Sequence, residues 1–184
     1  TCSNAPASVL ALKLYQTTRD EAYLQAGKDL YHWTQENLQD TVDYLYFDNK
    51  KLDGTIGKTK YQYNSGQMMQ AAALMYGLTS DNRYLTDAQN LAKACSDRFF
   101  EDFATLDGTA FRVLKNGNIW FVAIMLRGFE ELYKIDQNPQ YLNDFKNTLS
   151  YLWTHNPNDN GLFEDEQFVK ESRKKTYKWL LTQA

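Results

Sequence analysis

The sequence lacks any hydrophobic run that approaches the roughly 20 residues needed for a membrane-spanning helix. It also lacks the charged and apolar regions of a signal peptide, since it opens at Thr1-Cys2. We therefore predict no membrane span. The opening indicates either that a targeting segment has been removed or that the natural polypeptide begins further upstream.

Cysteine and histidine are scarce, with two residues of each. Cys2 and Cys95 form no CxxC motif and have no histidine at metal-ligand spacing, which excludes a disulfide framework or a zinc finger. Both thiols are predicted to be free. His32 and His155 lie far apart and are interpreted as surface or half-buried helix residues. We predict no metal site and no cofactor.

A strong charge of either sign is missing too. The net charge is −3, from 20 basic and 23 acidic residues, and the densest basic stretch is only Arg173-Lys174-Lys175. A nucleic-acid partner is therefore not expected. Hydrophobic residues make up 43% and charged residues 23%, as in globular proteins, and residues 1–184 are predicted to form one domain or a large part of one.

Aromatic residues, by contrast, are abundant at 15%, and they anchor a repeat. A Tyr-to-Tyr spacing of eight residues occurs three times, each across a polar turn. The segments are Leu14-Tyr15 to Tyr23-Leu24, Met75-Tyr76 to Tyr84-Leu85 and Leu132-Tyr133 to Tyr141-Leu142. An apolar helical stretch precedes each turn and a more amphipathic one follows it. The pattern predicts three antiparallel helical hairpins, each with a buried inner helix and an outer helix with one wet face.

The repeat offsets of 61 and 57 residues are too long for tetratricopeptide or ankyrin units and suit an (α/α) toroid. A ring of six hairpins of about 60 residues needs about 360 residues, so we predict an all-α fold holding half of an (α/α)6 toroid. Lys175 to Ala184 opens a further apolar helix without a stop signal. Binding residues are expected in the joins, Leu38 to Gln62 and Phe103 to Asn116.

Several segments resemble the loop and inner-helix signatures of glycoside hydrolase family 76, and the resemblance covers essentially the whole chain. The most specific is the aromatic-Tyr-Asn-x-Gly motif within Tyr61-Gln62-Tyr63-Asn64-Ser65-Gly66-Gln67. The other segments are Cys2-Ser3-Asn4-Ala5-Pro6, Tyr46-Phe47-Asp48-Asn49, Trp120 to Gly128, Asn160-Gly161-Leu162-Phe163 and Trp179 to Ala184. The resemblance implies an (α/α)6 barrel that hydrolyses α-1,6-linked mannan as a retaining endo-enzyme.

The family's adjacent catalytic aspartates lie on a segment that would precede Thr1. The acidic neighbours present here do not match that motif and are interpreted as solvated or capping charges. They are Asp20-Glu21, Glu101-Asp102, Glu130-Glu131 and Glu164-Asp165-Glu166. Because retention requires two carboxyl groups about 5 Å apart, no catalytic residue is assigned in this chain, which alone should be inactive.

Sugar recognition uses planar hydrogen-bonding groups and aromatic faces. Tyr61, Tyr63, Asn64 and Gln67 are candidate substrate-binding residues at the start of an inner helix. The alternative is that Asn64 or Ser65 only caps that helix.

Ser3 and Asn4 precede Ala5-Pro6 and are expected to cap the first helix, with sugar contact as a second role. In the first join, Asp48 and Asp53 are candidate substrate carboxylates. The resemblance favours Asp48, and Asp53-Gly54 has a plain turn as its alternative.

Trp120 and Phe121, which start the third inner helix, are a candidate stacking platform, with core packing as the alternative. Met68, Met69 and Met125 are predicted core residues.

These features favour half of a family 76 α-mannanase, with a neutral polysaccharide as partner. The resemblance also implies a monomer that is secreted, on the cell surface or in the periplasm. The first alternative is a non-catalytic mannan-binding protein, and the second is another toroidal sugar enzyme. The second fits poorly, because anionic substrates favour arginine-rich clefts and epimerases usually carry histidines.

Overall fold

The computed structural model describes residues 1–106, 108–115, 117–155 and 161–162. Six α-helices form three consecutive hairpins in this part of the chain. They are α1 (Asn4–Thr18), α2 (Glu21–Leu38), α3 (Gln62–Thr79), α4 (Asn82–Phe99), α5 (Ile119–Asp136) and α6 (Gln140–Thr154). None of the described helices is long and apolar enough to cross a membrane.

Some sequence predictions fall outside the described residues. They are the further helix from Lys175 to Ala184, the tail matches around Phe163 and Trp179, and the Glu164-Asp165-Glu166 cluster.

The three hairpins close through the same backbone turn. Arg19, Ser80 and Gln137 each adopt the left-handed conformation after the inner helix, with φ of 60°, 57° and 53°. Each donates its backbone N–H to a tyrosine carbonyl four residues earlier, on Tyr15, Tyr76 and Tyr133 respectively, and so satisfies a terminal carbonyl of the helix. This confirms the predicted hairpin repeat.

Two of the polar turns then start the outer helix with a side-chain cap. Asp20 and Asp81 accept from the backbone N–H two residues later, as N-cap residues should. In the third turn Pro139 occupies the N-cap position without such a bond.

Helix α3 is the centre of the arc. Every residue from Asn64 to Met75 is buried, because α1, α4 and α5 all pack against it. Met68, Met69 and Met125 are completely buried, which confirms their predicted place in the core. The inner helices α1, α3 and α5 stand side by side and the other helices pack outside them, so an arc of an (α/α) toroid is confirmed.

Both cysteines are free, with Cys2 exposed and Cys95 buried, as predicted. His32 is an exposed helix residue, as predicted, whereas His155 is exposed but lies just after the end of α6, as its C-cap residue. Among the acidic pairs, Glu131 was predicted to be a solvated or capping charge, and this prediction was wrong. Its side chain is only 14% exposed, and it accepts from the Gln70 amide and pairs with Lys134, so it links α5 to α3.

The long joins contain two small hairpins that the sequence analysis did not predict. In the first join, β1 (Asn49–Lys50) pairs with β2 (Ile56–Gly57). In the second, β3 (Phe100–Ala104) pairs with β4 (Ala110–Leu114) in antiparallel register. The predicted start of the second join at Phe103 was therefore wrong: α4 ends at Phe99 and the chain turns directly into β3.

The β3–β4 hairpin ties the second hairpin of helices to the third. Phe100 contacts the rings of Phe129 and Phe145 edge-on, with centroids 6.4 and 5.0 Å away. The Leu114 N–H donates to Thr148 Oγ1 in α6 at 3.0 Å. Helix α6 consequently packs chiefly on β4.

Two glycines set the distance between α3 and α5. A Cβ atom on Gly66 would lie 2.4 Å from the Met125 Cα, and one on Gly128 would lie 2.4 Å from the Gly66 carbonyl oxygen. Both obstacles are backbone atoms, which no rotamer change can move. The two inner helices therefore approach as closely as they do only because neither position carries a side chain.

We predict that Gly66→Ala and Gly128→Ala each lower the free energy of unfolding by about 3 kcal/mol, because the helices must separate to admit a methyl group. Gly77, which lies in α3 like Gly66, is exposed, and a Cβ atom added to it would have no neighbouring atom within 4 Å. Gly77→Ala should stabilise by about 0.5–1 kcal/mol. Urea denaturation of the three variants checks this. Equal effects at Gly66 and Gly77 would contradict it.

Candidate glycan-binding cavity

A cavity of about 390 Å³ lies where the N-terminal ends of the three inner helices meet. It is lined by Thr1, Cys2, Ala5, Pro6, Tyr63, Asn64, Gln67, Trp120, Phe121 and Ile124. Helix starts converge here because the inner helices run side by side in one direction, and the joins lead into α3 and α5 at this end.

Five of the predicted site residues line this cavity together: Tyr63, Asn64, Gln67, Trp120 and Phe121. They come from the second and third hairpins, more than 50 residues apart in the sequence. The remaining candidates do not line it.

The start of the chain and the first turn of α1 contribute wall residues that the sequence analysis did not assign to the site: Thr1, Cys2, Ala5 and Pro6. Ile124 was also missed, although it lies one helical turn after the predicted pair Trp120 and Phe121. Helical spacing from those two residues was the one signal that could have found it.

Asp48 stands behind the cavity wall and holds two of its residues. One carboxylate oxygen, Oδ1, accepts from the Tyr63 hydroxyl at 2.9 Å and from Asn64 Nδ2 at 3.1 Å, and Oδ2 accepts from Asn49 at 2.9 Å. Partial burial works against the charged form. The hydrogen bonds from Asn64, Tyr63 and Asn49 nevertheless hold the pKa of Asp48 below its ordinary value. Asp48, which lies in the first join, therefore positions the side chains of Tyr63 and Asn64 in α3.

Two carbonyl oxygens at the cavity have no hydrogen-bond partner among the described residues. They are Asn64 Oδ1 and Gln67 Oε1, in residues that are 0% and 8% exposed. A buried acceptor without a donor costs about 1–3 kcal/mol. Because Asp48 takes the amide nitrogen of Asn64, the carbonyl of that side chain is the group left for a ligand. These two acceptors match the hydroxyl donors of a sugar.

Aromatic rings build the rest of the wall. Tyr61 stacks on Tyr63, with ring centroids 5.5 Å apart, and Phe121 meets Tyr63 edge-on at 4.6 Å. Trp120 stays 53% exposed at the rim, so its indole face remains accessible. Burial of part of this cluster supports the packing alternative for Phe121, whereas the exposure of Trp120 supports the stacking role.

The capping alternative for Asn64 and Ser65 was wrong. Tyr61 is the N-cap of α3, and Asn64 and Ser65 lie inside its first turn. Ser65 Oγ instead accepts the Tyr46 N–H at 3.0 Å, which anchors the first join to α3.

Ser3 does not cap α1 with its side chain, which corrects the second capping prediction. Its backbone is already helical (φ −96°, ψ −48°), whereas a capping residue needs extended geometry. Ser3 and its neighbour Asn4, the first residue of α1, do not line the cavity. Asp53 also lies away from it: its carboxylate accepts the Thr55 N–H beside Gly54, whose φ is 86°, so the plain turn describes it.

The described residues that line the cavity include no carboxylate, no lysine or arginine and no histidine. Such a wall offers hydroxyl, amide and aromatic groups to a ligand. It suits an uncharged polyol, whereas an anion would find no cationic side chain among these described residues to balance its charge. No cluster of three or more metal-ligating side chains occurs in the described part of the chain.

The fold is an arc of an (α/α) toroid, and its cavity is lined by amide, hydroxyl and aromatic side chains. The sequence model of glycosyl hydrolase family 76 matches residues 1–129. The chain belongs to that family.

Solved structures of the same family are similar to this chain. A family 76 glycoside hydrolase from a bovine Bacteroides thetaiotaomicron strain is 38% identical, with a TM-score of 0.85 over 90% of this chain and 37% of that chain. The family 76 mannosidase of B. thetaiotaomicron VPI-5482 is 33% identical, with a TM-score of 0.88 over 99% of this chain and 50% of that chain.

A third similar structure is an inactive variant of the α-1,6-mannanase GH76A of Salegentibacter sp. HEL1_6, in which two aspartates are replaced by alanine. It is in complex with α-1,6-mannotetrose, and it is 31% identical with a TM-score of 0.68 over 87% of this chain and 49% of that chain. The chain thus spans half or less of the length of these three relatives.

We predict that Asp48→Ala lowers the free energy of unfolding by about 1–3 kcal/mol at pH 7, because the Tyr63 hydroxyl and the Asn64 amide lose their acceptor. The pKa of Asp48 is lower in the folded protein than the unfolded value of about 3.9. Its ionised form therefore stabilises the fold above about pH 4, and that contribution is lost as pH falls through the folded pKa. Urea denaturation at pH 7 and pH 3 should show a smaller difference at pH 3.

The control is Asp53→Ala, which removes an exposed carboxylate from a turn in the same join. It should cost less than Asp48→Ala at pH 7. Equal losses for the two variants would contradict the positioning role of Asp48.

Proposed function

We propose that this chain is the C-terminal half of a retaining, endo-acting α-1,6-mannanase, and that its cavity binds mannose units of a neutral mannan. The observation that carries the proposal is the pair of buried, unpartnered carbonyls on Asn64 and Gln67, set in a wall of aromatic rings in which no described lining residue is Asp, Glu, Lys, Arg or His. Membership of a glycoside hydrolase family and the mannotetrose bound to a similar mannanase support it.

In this proposal, sugar binding and bond cleavage are carried out by different parts of the protein. A mannose ring would lay its C–H face on the exposed indole of Trp120, and its hydroxyls would donate to the two carbonyls. Retention requires a nucleophile and an acid/base carboxyl about 5 Å apart across the sugar. The cavity wall supplies neither, so this chain would bind and orient while an aspartate pair upstream of Thr1 performs the bond cleavage.

The absence of a carboxylate from the described cavity wall also favours a second candidate, a mannan-binding protein without catalysis. A toroidal enzyme for uronic sugars is disfavoured, because no lysine, arginine or histidine side chain lines the described wall to balance such a substrate. Since mannan is too large to enter a cell intact, we further propose that the protein acts outside the cytoplasm, as a monomer.

We predict that Gln67→Met weakens binding of α-1,6-mannotetraose about tenfold, which corresponds to the loss of one hydrogen bond of about 1.4 kcal/mol. Stability should stay the same or rise, because an apolar side chain of similar volume replaces a buried acceptor that has no protein donor. Isothermal titration calorimetry and thermal melts measure the two effects.

Gln70→Met is the matched control one turn further along α3. Gln70 donates to Glu131 and does not line the cavity. Its replacement should lower stability and leave oligosaccharide binding unchanged. If Gln67→Met instead bound the oligosaccharide as tightly as the wild type, the carbonyl would not contact sugar.

We predict that the 184-residue chain alone releases no reducing ends from α-1,6-mannan, whereas the protein that includes the proposed upstream half releases them. A reducing-sugar assay on both polypeptides checks this. Hydrolysis by the 184-residue chain would show that the carboxylates of this half suffice. Binding without hydrolysis by both would favour the non-catalytic alternative.

A further inference from the structure

A second recess lies on the outside of the arc, between the first join and the outer helix α4. It has a volume of about 490 Å³ and shares no lining residue with the cavity. One wall is the turn Asp40 to Leu45, which carries Val42 and Tyr44, and the other is the outer face of α4. Both walls belong to adjacent hairpins that are described in full, so the recess is not an exposed end of the arc.

The turn that forms the first wall is held rigidly. Lys60 Nζ lies 2.6 Å from Asp40 Oδ2 and 2.7 Å from Asp43 Oδ2, and 5.0 Å from the centre of the Phe47 ring. The Asp40 N–H donates to the Leu45 carbonyl at 2.8 Å and closes the turn. A rigid surface turn loses little conformational entropy when it binds a partner.

This turn presents apolar and aromatic surface to solvent. Val42 is 91% exposed and Tyr44 is 39% exposed. Tyr44 also has a φ of 67°, a left-handed conformation that is rare for a bulky residue and that marks a position worth a functional explanation. Tyr44 lies outside the buried core and is one of the residues that line the recess.

The opposite wall supplies polar groups that suit hydroxyls. Asn90, Lys93, Asp97 and Arg98 line it from α4, and Lys93 pairs with Asp97. Arg98 on this wall is balanced by Asp43 on the opposite wall, so the charged residues that line the recess sum to zero. An aromatic face opposite amide, carboxylate and guanidinium groups is the side-chain set that reads a neutral sugar. A protein partner would be expected to bury a larger and more continuous apolar patch.

We propose that this recess is an accessory binding site for neutral polysaccharide, which holds a further stretch of the same polymer outside the cavity. The inference rests on the proposed function. A polymer bound at both sites would be retained more strongly than a short oligosaccharide bound at one, because the second contact is intramolecular.

The test uses Tyr44→Gly in the protein at its full natural length. Glycine accepts the left-handed backbone without strain, so the melting temperature should stay the same or rise while the ring is lost. Affinity electrophoresis in gels containing α-1,6-mannan should show polymer binding about tenfold weaker. Titration with α-1,6-mannotetraose should be unchanged. Arg98→Ala should follow the same pattern, whereas Tyr23→Ala, which removes a tyrosine of similar exposure on α2 outside the recess, should change neither.

Each outcome decides the inference. Unchanged polymer binding by Tyr44→Gly overturns it, and so does an equal loss of polymer and mannotetraose binding. A changed sedimentation coefficient with intact polymer binding assigns the recess to a protein contact and also overturns it. If Gln67→Met has no effect but Tyr44→Gly weakens polymer binding, the accessory site stands and the cavity proposal fails. Wild-type protein that binds neither ligand would refute both.

Discussion

The close approach of α3 and α5 at Gly66 and Gly128 is the constraint on which the cavity depends. The backbones meet where any side chain would collide with a Cα or a carbonyl oxygen. This contact sets how far the wall residues of α3, Asn64 and Gln67, stand from those of α5. A small outward shift of either helix would change the width of the site. The same residues that pack the core therefore set the dimensions of the binding surface.

The hairpin repeat could be predicted from sequence because its signals are local. Apolar helical stretches, a polar turn and a tyrosine spacing of eight residues all lie within short windows. The left-handed residues that close the turns could not be predicted, since Arg19, Ser80 and Gln137 are not glycines. The strands β1 and β2 have two residues each, too few for any periodicity to appear.

For the site, the sequence predicted half of the residues that line the cavity and missed how they are held. Asn64 looks like a capping residue when only its neighbours in sequence are considered. Its amide instead donates to Asp48, which lies 16 residues earlier in the first join. The unpaired carbonyls emerge only after every internal hydrogen bond has been placed. Such information depends on long-range partners, which the residues of a single segment do not reveal.

Two sets of hydrogen bonds attach the first join to α3. Asp48 of the join accepts from the Tyr63 hydroxyl and the Asn64 amide, and Ser65 of α3 accepts from the Tyr46 N–H. The β1–β2 hairpin projects beyond these fastenings, with Leu52 fully exposed and Gly54 at its tip. Extra residues inserted at this tip would lengthen a surface loop without reaching the cavity. A reporter or a second module could therefore be attached at Gly54 while the cavity wall stays in place.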